Sequence, residues 1–126
     1  MDITPLVPQG RQIIQAYGDG GFRISGIRHE GSVLVLPERT LPWAAVDAAE
    51  LTAEAVLALL PTDLAVEIFL LGTGARMAAV MPEMRRRFRQ AGIALEVMDT
   101  GAACRTYNVL LVEERRVAAA LTAVGA

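Results

Sequence analysis

Apolar and polar residues alternate in the first third of the chain, and glycine-containing turns interrupt the pattern. Residues 12–17 carry β-branched and aromatic side chains and lead into a turn at 18–21 whose three glycines suit positive φ angles. The segment 22–27 alternates as a return strand with one buried face, and 29–31 predicts a second turn. Residues 32–36 read as a further strand. The pattern predicts an N-terminal antiparallel β meander.

The period changes after residue 42. Leucine and alanine recur at helical spacing over 52–60, and the nearly continuous apolar run 64–71 predicts a strand that is covered on both faces. A helix over 82–91 and a strand over 93–98 complete a βαβ unit, which normally has parallel strands and a right-handed crossover. A third helix is predicted over 102–113.

The length of 126 residues and the 53% share of hydrophobic residues fit one domain with a packed core. We therefore expect a single α/β domain over residues 1–126, in which helices flank a mixed β-sheet and the meander precedes it. Residues 117–124 leave two alternatives, because their alanine content favours a helix and their short length suits a final strand. The second helix is predicted to bury one stripe of side chains: Met81, Met84, Phe88 and Ala91.

Charge and cysteine content limit the classes of partner and compartment. The formal net charge is −2, so no global positive field attracts nucleic acid or an anionic membrane, and the 12 basic residues are all arginine. The single Cys104 cannot form an internal disulfide, which fits a reducing compartment. No secretory leader or membrane-spanning run is visible, so we expect a cytoplasmic protein. One histidine and one cysteine do not make a metal site, and no cofactor is predicted.

The two buried strands end in similar turns, at 72–74 and at 99–101. Loops at the carboxyl ends of neighbouring parallel strands form the usual ligand crevice of an open α/β sheet, so this edge is the predicted site. Alternatively, the glycines relieve crowding in tight turns, and Asp99 or Thr100 caps the third helix. Met77 stands where a dinucleotide-binding motif needs its third glycine, which argues against that motif. The candidate pocket residues are Gly72, Thr73, Gly74, Asp99, Thr100, Cys104, Arg105, Thr106, Tyr107 and Asn108.

Cys104 has a functional and a structural interpretation. It falls in the first turn of the predicted third helix, where the helix dipole stabilises a thiolate, and Arg105 follows it. The only histidine, His29, is remote in sequence, so no base for a nucleophile is evident. A small buried cysteine is therefore favoured, and no catalytic residue is predicted.

The second helix carries a cluster of arginines. Arg85, Arg86 and Arg89 share the face opposite the apolar stripe and form a candidate contact patch, either for an acidic protein partner or as a solvated face. The net negative charge and the few aromatic residues argue against nucleic acid. Trp43 lies in an irregular segment and is either a cover over the core or an interface anchor.

Five short motifs are spread over nearly the whole chain: Gly21-Phe22-x-Ile24-x-Gly26, Gly31-Ser32-x-Leu34-x-x-Pro37, Trp43, Leu71-Gly72-Thr73-Gly74 and Met98-Asp99-Thr100-x-Ala102-Ala103-Cys104-Arg105-Thr106-Tyr107-Asn108. Together they resemble the domain-of-unknown-function family four-nine-eight. The resemblance implies a mixed α/β sheet with flanking helices and a separate β hairpin element, and it favours a final strand over 117–124. One mitochondrial family member is an assembly factor of respiratory complex I.

The leading hypothesis is thus a non-catalytic assembly or protein-interaction factor with a protein partner. It follows from the resemblance and from the lack of a catalytic constellation in the sequence. The alternative is a small-molecule or anion-binding protein, or an enzyme, that uses the loops after the two buried strands.

Overall fold

The computed structural model describes residues 10–125, and its first three strands form a sheet of their own. Strands β1 (Ile14–Gly18), β2 (Gly21–Ile24) and β3 (Ile27–Glu30) pair antiparallel in that order, so an N-terminal antiparallel meander is present as predicted. The strand β3 and the turn at 25–26 were not predicted. The predicted turn at 29–31 falls at the end of β3, where Gly31 has a φ of 82°, and the predicted strand over 32–36 pairs in the other sheet. Ser25 and Gly26 both have positive φ, of 47° and 85°, as tight two-residue hairpin turns require.

Five further strands form a mixed sheet in the order β5-β4-β8-β6-β7. They are β4 (Val33–Val35), β5 (Thr40–Pro42), β6 (Ile68–Gly72), β7 (Ala94–Met98) and β8 (Val117–Leu121). β6 runs parallel to β7 and β8, whereas β4 pairs antiparallel with β5 and β8. The final segment is therefore a strand, and the predicted mixed sheet is confirmed. β5 was not predicted, because three residues are too few to show a period.

Three α-helices flank this sheet: α1 (Ala53–Leu57), α2 (Pro82–Gln90) and α3 (Thr100–Val112). α3 begins two residues earlier than predicted, because the Asp99 side chain accepts a hydrogen bond from the Ala102 N–H at 2.9 Å and caps the helix. α1 is shorter than predicted. Among residues 10–125, no helix is both long and apolar enough to cross a membrane.

The strand predicted over 64–71 begins only at Ile68. Its first backbone contacts are made by the N–H groups of Glu67 and Ile68, which both donate to the Arg116 carbonyl oxygen. Residues 64–66 lie before the strand, at the edge of the sheet where the parallel strands begin. The apolar pattern there reflects partial burial outside the sheet and not strand pairing.

Apolar side chains pack on both faces of the five-stranded sheet. Strand residues alternate between faces, so Leu70 packs with α3 and the β1–β3 sheet, whereas Phe69 and Leu71 pack with α1 and α2. The Phe69 and Phe88 rings lie 5.4 Å apart between centroids. Trp43 is buried in the same cluster and therefore covers the core.

The buried stripe of α2 is narrower than predicted. Met84 and Phe88 are buried, but Met81 and Ala91 are exposed. The physical reason is that these two residues cap the helix at its two ends. Met81 has an extended backbone, with φ −63° and ψ 141°, so its side chain does not continue the helical stripe.

Candidate functional site

Thr100 joins the loops at the carboxyl edge of the parallel strands. Its Oγ1 accepts a hydrogen bond from the Gly74 N–H at 2.9 Å and donates to the Thr122 carbonyl oxygen at 2.7 Å. The Thr100 N–H in turn donates to the Gly74 carbonyl oxygen at 2.8 Å. The side chain is fully buried. The loops after β6, β7 and β8 are thus tied to one another by hydrogen bonds.

Gly72 is required by the same close packing. A Cβ atom at this position would lie 3.1 Å from the Thr100 Cα and 3.0 Å from the Leu121 Cδ2. These contacts are tighter than ordinary van der Waals distances, and one of them is to backbone. The glycine of the first predicted loop therefore allows the start of α3 to approach the end of β6.

Thr73 shapes the loop that follows β6. Its N–H donates to the Met98 carbonyl oxygen at 2.9 Å, and its Oγ1 donates to the Arg76 carbonyl oxygen at 2.8 Å and accepts from the Ala78 N–H at 3.0 Å. The hydroxyl of this half-buried residue therefore holds the loop from 73 to 78 in place.

The second half of the predicted pocket docks α3 onto the β1–β3 sheet. The Asn108 side chain accepts from the Ile14 N–H at 2.9 Å and donates to the Ile14 carbonyl oxygen at 2.7 Å, as a neighbouring strand would. At Gly101 a Cβ would fall 2.4 Å from the Tyr17 hydroxyl oxygen, so that ring rests on the helix backbone. Asn108 and Tyr17 thus hold the β1–β3 sheet against α3.

Cys104 is the fifth residue of α3 and therefore lies beyond its first turn, contrary to the prediction. The side chain is buried, and burial raises the pKa of its thiol to about 12, although the charge of Arg105 acts in the opposite direction. Such a thiol is protonated near neutral pH and is a poor nucleophile. The geometry therefore favours the structural interpretation of Cys104.

Tyr107 is buried at the centre of the same cluster. Burial raises the pKa of its hydroxyl, and the positive charge of Arg11 opposes that shift. Within the part of the chain that the structure describes, no group forms a hydrogen bond with this hydroxyl. An unpaired buried hydroxyl costs free energy.

The predicted pocket residues are thus brought together, but around packed side chains. The turns at 72–74 and 99–101 meet as expected, and Cys104, Tyr107 and Asn108 face the small sheet. Arg105 is exposed on the outside of α3, and Thr106 is half-buried. Two cavities border the sheet, and Thr73 is the one predicted pocket residue that lines either of them. A ligand role for the remaining residues stays a prediction.

The first cavity, here called the carboxyl-edge cavity, lies where β6 and β8 end and has a volume of about 540 Å³. Leu51 and Leu71 are buried residues that line it, and Thr73 and Thr122 supply hydroxyl groups. It lies on the side of the sheet that carries α1 and α2. This is the same edge of the sheet at which the sequence places the candidate site, and Thr73 belongs to both. The remaining lining residues are Ala45, Val46, Asp47, Ala48, Ala49, Ala78 and Ala79.

These lining segments carry no recognisable chemical motif. They contribute alanine and valine from two irregular regions that are about 30 residues apart in the sequence. The one signal available in the sequence was a run of small apolar residues outside any predicted element.

The second cavity, the amino-edge cavity, lies where β6 and β8 begin and has a volume of about 440 Å³. The arginines that line it are balanced by carboxylates from three separate segments. Glu67 at its border accepts a hydrogen bond from Arg115 at 2.7 Å and lies 3.8 Å from Arg116, and these partners lower the pKa of its carboxyl group. The charged lining residues are Arg11, Arg39, Arg115, Arg116, Glu38, Asp63 and Glu114.

The predicted contact patch on α2 is exposed to solvent. Arg86 forms an ion pair with Glu83 within the helix, and Arg87 reaches Glu54 on α1. Arg85 and Arg89 are exposed as well, and within residues 10–125 neither makes an ion pair. These two guanidinium groups are therefore available to a carboxylate from another molecule.

A family model described as "Protein of unknown function (DUF498/DUF598)" matches residues 14–122. The chain belongs to this family. The match begins at β1 and ends just after β8, so both sheets and all three α-helices lie within it.

Among curated relatives, the chain is similar to a zebrafish (Danio rerio) protein named NADH dehydrogenase [ubiquinone] 1 alpha subcomplex assembly factor 3. The two are 36% identical over 109 residues, which cover 86% of this chain and 63% of the zebrafish protein. The chain thus spans less than two thirds of that relative's length.

Two solved structures are similar over nearly the whole chain. A crystal structure described as that of an outer membrane protein from Bartonella henselae is 37% identical, has a TM-score of 0.79, and covers 91% of this chain and 97% of its own. The solution structure of a Bordetella pertussis protein, described as an Mth938-like domain, is 28% identical and has a TM-score of 0.79. The match covers 99% of this chain and 94% of the Bordetella protein. The two-sheet α/β architecture is therefore that of the Mth938-like domain.

Proposed function

We propose that this protein is a non-catalytic factor that binds a protein partner and assists the assembly of a respiratory complex. The observation that carries the proposal is the 36% identity, over 86% of the chain, to a relative named as an assembly factor of an NADH dehydrogenase. The similarity to that relative extends over 109 residues, so we expect the aligned region to act in the same way in both proteins.

The arrangement of the predicted site supports a binding role. The polar side chains of Thr100 and Asn108 hydrogen-bond the protein's own backbone, and the Cys104 thiol is buried with its pKa raised to about 12. By contrast, apolar and cationic side chains are exposed along the loop after β6 and along α2. Surfaces of this kind suit contact with another protein.

Deletion of the gene, combined with native-gel analysis of the respiratory complexes, tests the proposal. We expect the deletion to reduce the amount of one assembled complex, and the wild-type gene to restore it. Affinity capture of the tagged chain under native conditions is expected to recover a subunit or a factor of the same complex. Unchanged levels of every respiratory complex in the deletion strain, together with no specific partner in the capture, would contradict the proposal.

We further infer a cytoplasmic location. The inference rests on the single cysteine, which is free and buried, because cysteines remain as thiols in a reducing compartment such as the cytoplasm. The similar Bartonella henselae protein is described as an outer membrane protein, and cell fractionation with the native protein distinguishes the two locations. Recovery with the outer membrane would overturn the inference.

A second candidate function is the binding of a small molecule at the carboxyl edge, and the cavity of about 540 Å³ at that edge favours it. Titration with nucleotides, phosphates and small carboxylates, followed by amide NMR shifts, tests this function. Binding at this cavity is expected to move the amides of Thr73 and Ala78. Shifts confined to other parts of the chain, or none across the panel, would remove it.

A further inference from the structure

The carboxyl-edge cavity opens beside an exposed apolar rim. Val46 lines the cavity and is 49% exposed, and Met77, directly before the lining residues Ala78 and Ala79, is 61% exposed. Met81 follows two residues later and is 39% exposed. Large apolar side chains at these exposures are unusual when they cluster. Methionine also adapts its shape to different partners.

The rim continues into a cationic row on α2. Arg85 and Arg89 are four residues apart and therefore lie next to each other along one face of α2, whose N-cap is Met81. Arg86 and Arg87 are engaged by Glu83 and Glu54, whereas Arg85 and Arg89 have no ion-pair partner within residues 10–125. The apolar rim thus ends where α2 begins, and the two unpaired arginines follow along the helix.

The chemistry of this row defines the partner it fits. The whole chain has a net charge of −2, so the row is a local exception to the overall charge and would select acidic groups from its surroundings. The neighbouring cavity is lined mainly by alanine, valine and leucine side chains, together with the hydroxyl groups of Thr73 and Thr122 and a single charged residue, Asp47, so apolar side chains would pack against most of its wall. An amphipathic segment with both kinds of side chain would match the two ends at once.

We propose that the carboxyl-edge cavity, its rim and Arg85 and Arg89 form one docking surface for an acidic amphipathic segment of a protein partner. Apolar side chains of that segment pack against Val46, Met77 and Met81, and its carboxylates pair with the two arginines. The inference rests on the proposed function, because it names the surface and the partner chemistry through which the binding takes place.

Site-specific photo-cross-linking in the native cells tests the surface directly. p-Benzoylphenylalanine replaces Met77 at the apolar end, or exposed Gln90, the neighbour of Arg89, at the cationic end. The control position is Val109, which is 58% exposed on α3, on the other side of the sheet. We expect positions 77 and 90 to cross-link to one segment of one protein, with apolar residues at the site joined to 77 and Asp or Glu near the site joined to 90.

Charge variants supply the second arm. The double variant Arg85→Glu/Arg89→Glu is expected to reduce the partner cross-link from position 77 about tenfold or more, because two attractive contacts become repulsive. Arg85→Lys/Arg89→Lys keeps the positive charge, so this variant is expected to retain most of the partner cross-link. Arg23→Glu, at an exposed residue of β2 in the β1–β3 sheet, is the control and should have no effect. A thermal melt checks that each variant is folded.

The outcomes separate this proposal from the proposed function. If the wild-type chain binds no protein, both fail. If it binds a protein but the cross-links arise from Val109 and not from positions 77 and 90, or if the double reversal leaves the cross-link unchanged, the docking surface alone is wrong. Adducts from positions 77 and 90 that contain only a second copy of this chain, RNA or lipid would also overturn it.

Discussion

The two faces of the five-stranded sheet differ in how their functional groups are used. On the α3 face, the Thr100 hydroxyl and the Asn108 side-chain amide form hydrogen bonds with backbone groups of distant segments, and Cys104 is buried. On the face of α1 and α2, a cavity opens beside exposed Met77, and Arg85 and Arg89 point to solvent. The face that is richest in polar motif residues is thus the closed one.

This difference shows why a chemically suggestive motif can mislead. The segment 98–108 contains a carboxylate, hydroxyls, a thiol and an amide, which together suggest a site. A chain that must hold two separate sheets together needs hydrogen bonds between segments far apart in sequence, and Thr100 and Asn108 supply them. These two side chains are engaged by the protein's own backbone, whereas Met77, Arg85 and Arg89 on the other face are exposed.

The largest expected effect concerns Cys104 on the closed face. With a pKa of about 12, compared with about 8.5 for a free cysteine, its thiolate fraction at pH 8 is smaller by roughly a thousandfold. Alkylation of the native protein by iodoacetamide is therefore expected to be at least that much slower than alkylation of the unfolded chain. A native rate close to that of the unfolded chain would show that the α3 face is open at this position.

The same shift predicts a pH dependence of stability. The pKa of the thiol in the folded protein lies above its value in the unfolded chain, so the unfolded chain loses its proton first as the pH rises. The contribution of Cys104 to the free energy of unfolding is present below about pH 8.5 and is lost as the pH rises towards 12. Urea titrations of the wild type and of Cys104→Ala across this interval isolate the effect.

Thr100→Val is expected to lower the free energy of unfolding by about 2–4 kcal/mol. Valine keeps the shape of threonine but leaves the Gly74 N–H and the Thr122 carbonyl oxygen without their partner. Thr106→Val, in the half-buried part of the same helix, is the control and should change stability by less than about 1 kcal/mol. Urea unfolding measures both. Equal losses in the two variants would mean that Thr100 does not close the carboxyl edge.

Asn108→Ala is expected to cost about 1–3 kcal/mol, because it removes both hydrogen bonds to Ile14. The effect should be concentrated in the β1–β3 sheet, whose first strand these bonds attach to α3. Amide exchange at Ile14 reports it, with Arg105→Ala on the exposed side of α3 as the control. Unchanged protection at Ile14 would rule out the attachment.

The smallest effect is expected for Tyr107→Phe. Removal of a buried hydroxyl that has no hydrogen-bond partner within residues 10–125 is expected to leave stability unchanged or to raise it by up to about 1 kcal/mol. Tyr17→Phe, at a tyrosine that is 44% exposed, is the comparison. A loss of more than about 1 kcal/mol in the Tyr107 variant would mean that the hydroxyl has a favourable partner.

Sequence patterns predicted the layers of the fold better than its connections. The βαβ unit and the meander were predicted because hydrophobic period is local. The turn at 25–26 was missed, because it depends on positive φ at Ser25, a residue type that rarely adopts it. β5 is formed by pairing with β4, so its partner and not its own three residues defines it.

The two loops of the candidate site were predicted to meet at one edge of the sheet, and the hydrogen bond between Gly74 and Thr100 shows that they do. Parallel strands fix that edge, since Thr73 and Asp99 directly follow the ends of β6 and β7. Whether the loops enclose a pocket depends on a contact of 2.7 Å between Thr100 and Thr122, which are 22 residues apart and come from different elements. No local pattern carries that information. The carboxyl-edge cavity was missed for the same reason, because segments near 47 and 78 meet only in the folded chain.

Amide hydrogen exchange, resolved by residue in the native protein, tests most directly the claim that one face is closed and the other open. The Gly74 and Ile14 amides donate to Thr100 and Asn108, so both should exchange only through global unfolding, with a free energy of exchange equal to that of unfolding. The Met77 amide, in the exposed loop beside the cavity, should exchange close to the unprotected rate. Exchange at Gly74 as fast as at Met77 would contradict the claim.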